Sequence, residues 1–183
     1  VLTIINRHSQ GIEVINDWNG FGQRTTSSGT IILDQVEVDP FLIFDERILA
    51  QATNYRGAFS QLLQVAIDVG IAEAAFADTL STVSKARPII DANVDKASFE
   101  HYTLQEVGRS QILLDAAILL LDEAADYLDE LDALGEVSAE QAGLASIKVA
   151  EAKIYANDAA LLISEKLLEL GGSRSSLSEH HLD

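Results

Sequence analysis

Apolar and polar positions follow two different rhythms along this chain, and the change falls near residue 44. The most apolar stretch is Ile112-Leu113-Leu114-Asp115-Ala116-Ala117-Ile118-Leu119-Leu120-Leu121, with Asp115 as its single charge. A helix that is apolar nearly all round has to be buried on most sides, because one neighbour would leave several of its leucines in water. The pattern therefore predicts a central bundle helix over residues 103–131. A membrane span needs about 20 apolar residues, and Asp122, Glu123 and Asp126 end this run too soon.

Before residue 44 the period is two. Leu2 and Ile4, then Ile12, Val14 and Ile15, then Ile31, Leu33, Val36 and Val38 are interleaved with polar residues, the pattern of half-buried strands. Gly11, Gly20, Gly22 and Gly29 fall between them as turns, and Pro40 is expected to close the segment. Three or four short strands cannot cover both of their faces. They are expected to be the end of a larger sheet, or a sheet resting on the helices.

A first helix is predicted from near Asp45 or Asn54 to about Lys85, with Leu62, Leu63, Val65, Ile67, Val69, Ile71 and Phe76 on a broad apolar face. Pro88 stops it, since the residue before a proline resists the helical region, and residues 88–102 form a connection rich in Asp, Asn and Ser. The second helix ends in a polar tail (Asp122, Glu123, Asp126, Asp129, Glu130, Asp132) that reads as a solvated acidic end. Carboxylate metal sites in bundles need paired Glu-x-x-His patterns; neither His101 nor His180-His181 lies in one, and no metal is expected. After Gly135, Ser138 and Gln141 form a capping-box signature, opening a third helix that runs to about Leu170. There Ile147, Ile154, Leu161 and Leu168 recur every seven residues, which keeps one seam against a neighbour. Glu151, Asp158 and Glu165 recur beside it as a wet flank, and Gly171-Gly172 ends the helix. Three helices leave part of the second uncovered, so a fourth helix beyond Asp183 or another subunit is expected to complete the cover.

Composition narrows the partners. Acids outnumber bases 29 to 12, for a net charge of −17, so neither nucleic acid nor an anionic membrane surface is an expected partner. There is no cysteine, which removes disulfides, thiolate catalysis and cysteine metal sites. There is no methionine either, position 1 included, and Val1-Leu2-Thr3-Ile4-Ile5 reads like the inside of a strand. We expect a piece of a longer, cytoplasmic polypeptide, with part of its site outside these residues.

One loop carries a recognisable signature. Asp17-Trp18-Asn19-Gly20-Phe21-Gly22-Gln23-Arg24-Thr25-Thr26-Ser27-Ser28-Gly29-Thr30, followed by Leu33-Asp34-Gln35-Val36-Glu37-Val38, resembles the acyl-CoA dehydrogenase superfamily. It is closest to the flavin-dependent monooxygenase branch, that of dibenzothiophene monooxygenases and sulfur-acquisition oxidoreductases. Ala86-Arg87-Pro88-Ile89-Ile90-Asp91 resembles that branch's Ala-Arg-Pro-x-x-Asp, and Glu106-Val107-Gly108-Arg109 the start of its next helix. Leu170-Gly171-Gly172-Ser173-Arg174-Ser175-Ser176 stands where the superfamily has its flavin-contacting glycine turn.

The resemblance implies a mainly α chain. Residues 1–44 would end a middle β-domain, and residues 45–183 would form an up-and-down C-terminal helical bundle lacking its last helix. It implies a monooxygenase that takes reduced FMN from a partner flavin reductase, and oxygen, to a small organic substrate, with organosulfur compounds among the classes implied. The alternative is an FAD-dependent acyl-CoA dehydrogenase served by an electron-transfer flavoprotein; a further one is a non-catalytic helical oligomerisation module. A dehydrogenase needs a carboxylate base, which the resemblance would place either early in the first helix, at Ser60-Gln61 where no base stands, or in the segment after the Gly-Gly turn, beyond Asp183. By the same resemblance Arg87, Gly171, Gly172, Ser173, Arg174 and Ser175 would hold the flavin, across the subunit boundary of a homodimer or homotetramer. Trp18 and Arg24 would stand on the substrate side. Arg87 also fits a partner for free helix-end carbonyls, Trp18 a core residue of the strand region, Arg24 an anchor of its turn, and His180 and His181 surface positions.

Overall fold

The computed structural model describes residues 1–20, 22–45, 47, 53–180 and 182. Phe21 of the loop signature and His181 lie outside the described residues. The chain divides into two units, Val1–Ala52 and Thr53–Asp183.

In the first unit, β1 (Leu2–Thr3), β2 (Ile12–Val14), β3 (Ile31–Leu33) and β4 (Ile43–Phe44) form two antiparallel pairs, β1 with β4 and β2 with β3. Leu2 stands opposite Phe44 and Val14 opposite Ile31. The expectation that Pro40 closes the strand region is corrected. Pro40 opens a single 3-10 turn, Pro40–Leu42, capped by Asp39, whose Oδ1 accepts the Phe41 amide at 2.9 Å. The chain then re-enters extended backbone because Leu2 and Thr3 offer it a partner. Val36 and Val38 lie outside the strands.

The second unit is built on α1 (Arg56–Lys85), α2 (His101–Leu134) and α3 (Ala139–Gly171). Side-chain pairs fix their directions. The Tyr55 hydroxyl, just before α1, reaches Asp132 near the end of α2 at 2.7 Å, so α1 and α2 are antiparallel. Tyr102 at the start of α2 donates to Glu169 at the end of α3, and Lys153 donates to Gln61, which makes α1 and α3 parallel. Ser138 caps α3 as its sequence predicts: its hydroxyl accepts the Gln141 amide at 3.2 Å, while Gln141 Oε1 accepts the Ser138 amide at 2.9 Å.

The core differs from the sequence expectation in one respect. α3, not α2, is the helix packed most extensively against the other two, above all against α1. Its inward face carries Ala145, Ala152, Ala156 and Ala159 beside Val149 and Ile163, all essentially inaccessible, against Val65, Val69 and Ala72 of α1. Alanines let two backbones approach closely, and close approach multiplies the dispersion contacts. α2 contributes Leu114, Ala117, Ala124 and Leu131, yet leaves Ile112 70% exposed. The heptad seam of α3 points away from this core, with Ile154 67% exposed. α1 has the length and apolar content of a membrane-crossing segment; Val65, Val69, Ala72 and Phe76 of that content are buried in the bundle, while Leu63, Ile67 and Ile71 stay about half exposed.

Candidate functional site

α3 ends in two glycines with separate roles. Gly172 has φ 62 and ψ −153, a region that only glycine occupies without strain. Gly171 is ordinary helical backbone, but a Cβ on it would meet Ser175 Oγ at 2.2 Å and the Thr82 methyl at 3.2 Å. The Ser175 hydroxyl fills that space. It is buried, 2.9 Å from the Gly172 carbonyl and 3.1 Å from that of Leu168, so its proton serves carbonyls freed where α3 stops.

This turn walls a hollow of about 360 Å³ at the end of the bundle. Asp78, Ser81, Thr82, Lys85 and Ala86 line it from α1, and Gly171, Arg174, Ser175, His180 and Leu182 from the other side. Lys85 is held by Ser81, its Nζ donating to Oγ at 3.1 Å. In a chain of net charge −17, the hollow gathers two cations and a histidine against one carboxylate. Both helices reach it by their C-termini, whose free carbonyls carry partial negative charge. An anion bound here would depend on Lys85 and Arg174, with hydroxyls from Ser81 and Thr82 as further donors. That donor set fits a phosphate group.

Of the residues singled out in the sequence, Gly171, Arg174 and Ser175 meet in this hollow. Gly172 and Ser173 belong to the same turn without lining it, and Arg87 is exposed one residue beyond the lining Ala86. Buried Glu100 ties the chain just after Arg87, accepting the Ile89 amide at 2.6 Å and the Thr103 hydroxyl at 3.1 Å. Asp78, Ser81, Thr82, Lys85, His180 and Leu182 are lining residues that sequence reasoning did not assign to a site. A polar i, i+1, i+4 set in the last turn of α1 is the signal they carry, one shared by most solvated helix ends.

Trp18 and Arg24 sit in the loop between β2 and β3. The Trp18 indole N–H donates to the Gln23 carbonyl at 2.9 Å, and Arg24 opens the 3-10 turn Arg24–Thr26, flanked by left-handed Gln23 and Ser27. Asp17 closes the loop: its carboxylate accepts the Thr30 amide at 2.8 Å and the Thr30 hydroxyl at 2.7 Å, which hold its pKa below the usual carboxylate value. A lowered folded-state pKa means that this closure is complete above the unfolded value of about 3.9 and fades as pH falls through the folded one. Protection of the Thr30 amide from hydrogen exchange is expected to drop over that acid window. In Asp17→Asn, protection should be lower at neutral pH and flat through the same window.

A charged cluster stands beside the turn, between α2 and α3. Lys166 Nζ lies 2.7 Å from Glu169 Oε2 and 3.0 Å from Glu106 Oε2, and the Tyr102 hydroxyl donates to Glu169 Oε1. The Lys166 ammonium, then the Tyr102 hydroxyl, hold Glu169 below the usual carboxylate range. Glu169 and then Glu106 raise the pKa of Lys166, so the ammonium stays charged at any physiological pH.

The helical unit is thus an up-down-up bundle with a cation-lined hollow where two of its helices end. The chain belongs to the acyl-CoA dehydrogenase family: residues 62–183 match the model described as acyl-CoA dehydrogenase, C-terminal domain. It is 28% identical over 177 residues to the probable FMNH2-dependent monooxygenase SfnC of Pseudomonas putida, covering 94% of this chain and 45% of that one. It is 30% identical over 182 residues to the dibenzothiophene monooxygenase of Rhodococcus erythropolis, covering 94% and 44%. The crystal structure of TdsC from Paenibacillus sp. A11-2 with FMN and indole superposes with a TM-score of 0.90 at 27% identity, over 99% of this chain and 48% of that one. The chain thus spans less than half the length of these relatives.

Proposed function

We propose that this chain is the helical part of a flavin-dependent monooxygenase, and that the hollow between the ends of α1 and α3 receives the phosphate of FMN. The observation that carries the reading is the meeting of Lys85 and Arg174 with the Gly171–Ser175 turn in one hollow. It is supported by the likeness to TdsC, a protein whose structure contains FMN, and to relatives named FMNH2-dependent and dibenzothiophene monooxygenases. Reduced FMN, when bound, supplies the electrons with which oxygen is activated for insertion into a small organic, organosulfur-type substrate. The residues of this chain orient it. Arg174 and Lys85 neutralise the phosphate, Ser81 and Thr82 direct it, and Ser175 keeps the turn closed by holding the helix-end carbonyls.

A flavin reductase would supply the reduced cofactor. The dehydrogenase alternative is weaker, since Ser60 and Gln61 provide no base. The one carboxylate in the hollow that Ser60 lines, Asp132, already accepts the Tyr55 hydroxyl. The exposed seam Ile147, Ile154, Leu161 and Leu168 would be covered by a fourth helix or by a second subunit, and Arg87 would reach the flavin across such a boundary.

The test is a titration of the full-length protein with FMN and with riboflavin, which lacks the phosphate. A charge-assisted hydrogen bond contributes about 1.5–3 kcal/mol, so Arg174→Ala should raise the FMN Kd by about 10- to 100-fold and leave riboflavin binding unchanged. An equal effect on both ligands, or none, would move the phosphate out of this hollow.

A further inference from the structure

We infer that Lys166 is a positioning residue for the cofactor hollow: through Glu169 and Glu106 it fixes the last turn of α3 where Gly171, Arg174 and Ser175 face Lys85. The inference rests on reading that hollow as the phosphate site, and it adds residues that touch neither phosphate nor ring.

Lys166 brings one ammonium between carboxylates from two helices, Glu106 at 3.0 Å and Glu169 at 2.7 Å, with the Tyr102 hydroxyl at 3.4 Å. The Lys166–Glu106 pair is the shielded part of the cluster, the Lys166 side chain being 17% exposed and that of Glu106 8%, while Glu169 lies toward solvent at 38%. Arg109 stands 3.9 Å from Glu106, so two carboxylates face two cations. The first turns of α2 (Tyr102, Glu106) are thereby locked to the last turn of α3 (Lys166, Glu169). The backbone next to that lock builds the hollow. The Glu169 carbonyl accepts the Gly172 amide, and the Leu168 carbonyl lies 3.1 Å from the Ser175 hydroxyl. A rotation of α3 about its own axis would carry Gly171 and Arg174 with it, and the Lys166 cluster opposes that rotation.

Stability alone does not explain such a cluster. Exchanging a buried ion pair for apolar residues of similar volume is often neutral or stabilising, and α2 and α3 are held together elsewhere by Leu114, Ala117, Leu131, Ala145 and Val149. Polarity is also unevenly placed. Among the described residues, the buried polar side chains Thr79, Glu100, Thr103, Glu106, Ser110 and Ser175 all fall in the half of the bundle that carries the hollow. Apolar packing tolerates small slides and rotations, whereas ion pairs with fixed partners specify one arrangement. The polar residues are concentrated where one arrangement matters.

The experiment compares Lys166→Met, Glu106→Gln/Lys166→Met, Arg174→Ala and Leu131→Ala in the full-length protein. Each is scored by FMN Kd from flavin fluorescence and by its thermal midpoint. Lys166→Met should lower the midpoint and raise the Kd about tenfold, a loss typical of a site whose support is loosened. The double substitution removes the buried carboxylate that Lys166→Met leaves with only the exposed Arg109, 3.9 Å away, so it should recover the midpoint while the Kd stays high. Leu131→Ala, in the core at the far end of the bundle, should lower the midpoint and leave the Kd unchanged. A Kd that follows the midpoint through all four proteins, or that returns with the midpoint in the double variant, overturns the positioning role. A Kd raised by Arg174→Ala but untouched by Lys166→Met overturns it while leaving the phosphate site standing. No effect of Arg174→Ala overturns both.

Discussion

Truncating Ile163 to alanine is expected to lower the stability of the helical unit by about 2–5 kcal/mol. Ile163 is inaccessible to solvent in the C-terminal third of α3, the helix packed most extensively against the other two. The removed atoms lose their transfer free energy, and the surrounding chains cannot close the space. Alanine-lined contacts have little freedom to collapse further, because Ala156, Ala159 and Ala160 already bring the backbones close. Leu161→Ala supplies the contrast. It lies two residues away on the outward seam, 66% exposed, and should change the stability of the monomeric chain by no more than about 0.5 kcal/mol. Its larger effect should be on self-association, if a second subunit covers the seam. Equilibrium unfolding of both variants below the association range decides it: if Leu161→Ala costs more than Ile163→Ala, the inward face of α3 has been assigned to the wrong side.

That contrast marks the boundary of what the sequence discloses. Ile147, Ile154, Leu161 and Leu168 form the more hydrophobic stripe of α3, and their heptad spacing predicts a packed seam. Within this chain the packed face is the alanine one. Hydrophobicity tells that a face is to be covered, and says nothing of whether the cover is intramolecular. For the same reason α2, which carries the most apolar run of the chain, is only half enclosed. Helix ends were legible because their causes are local: Pro88 ends the region after Lys85, Ser138 with Gln141 opens α3, and Gly171-Gly172 closes it. The pair β1–β4 was not, because Ile43 and Phe44 are extended only through partners some 40 residues earlier. The candidate site divides in the same way. The glycine turn with Arg174 and Ser175 stood out by its motif. Lys85, Ser81 and Thr82 look like any polar helix end until the parallel packing of α1 and α3 sets them opposite that turn.

Gly171→Ala puts the turn itself to the test, and there the sign of the effect is diagnostic. Glycine within a helix costs roughly 0.5–1 kcal/mol relative to alanine, and Gly171 has helical φ −77 and ψ −17, so backbone preference alone predicts a gain in stability. Sterics predict the reverse. The new methyl would stand 2.2 Å from Ser175 Oγ, 3.3 Å from Ser175 Cβ and 3.2 Å from the Thr82 methyl. Ser175 is buried and its hydroxyl bonds to helix-end carbonyls, so rotating it away leaves those carbonyls unserved, and keeping it in place pushes the turn off α1. A displacement of about 1 Å in a binding element can cost about 100-fold, and a loss of that order in FMN affinity is the expected result, together with a lower melting temperature. Gly171→Ala/Ser175→Ala should recover much of both, because the 2.2 Å contact disappears and the remaining ones ask the neighbours to give only a few tenths of an ångström. The coupling between the two positions then measures the packing directly, since neighbours sharing one contact are non-additive by about 0.5–3 kcal/mol. A single variant that is more stable than the parent and binds FMN equally well would mean that the turn does not close on Ser175, and the phosphate site would lose its wall.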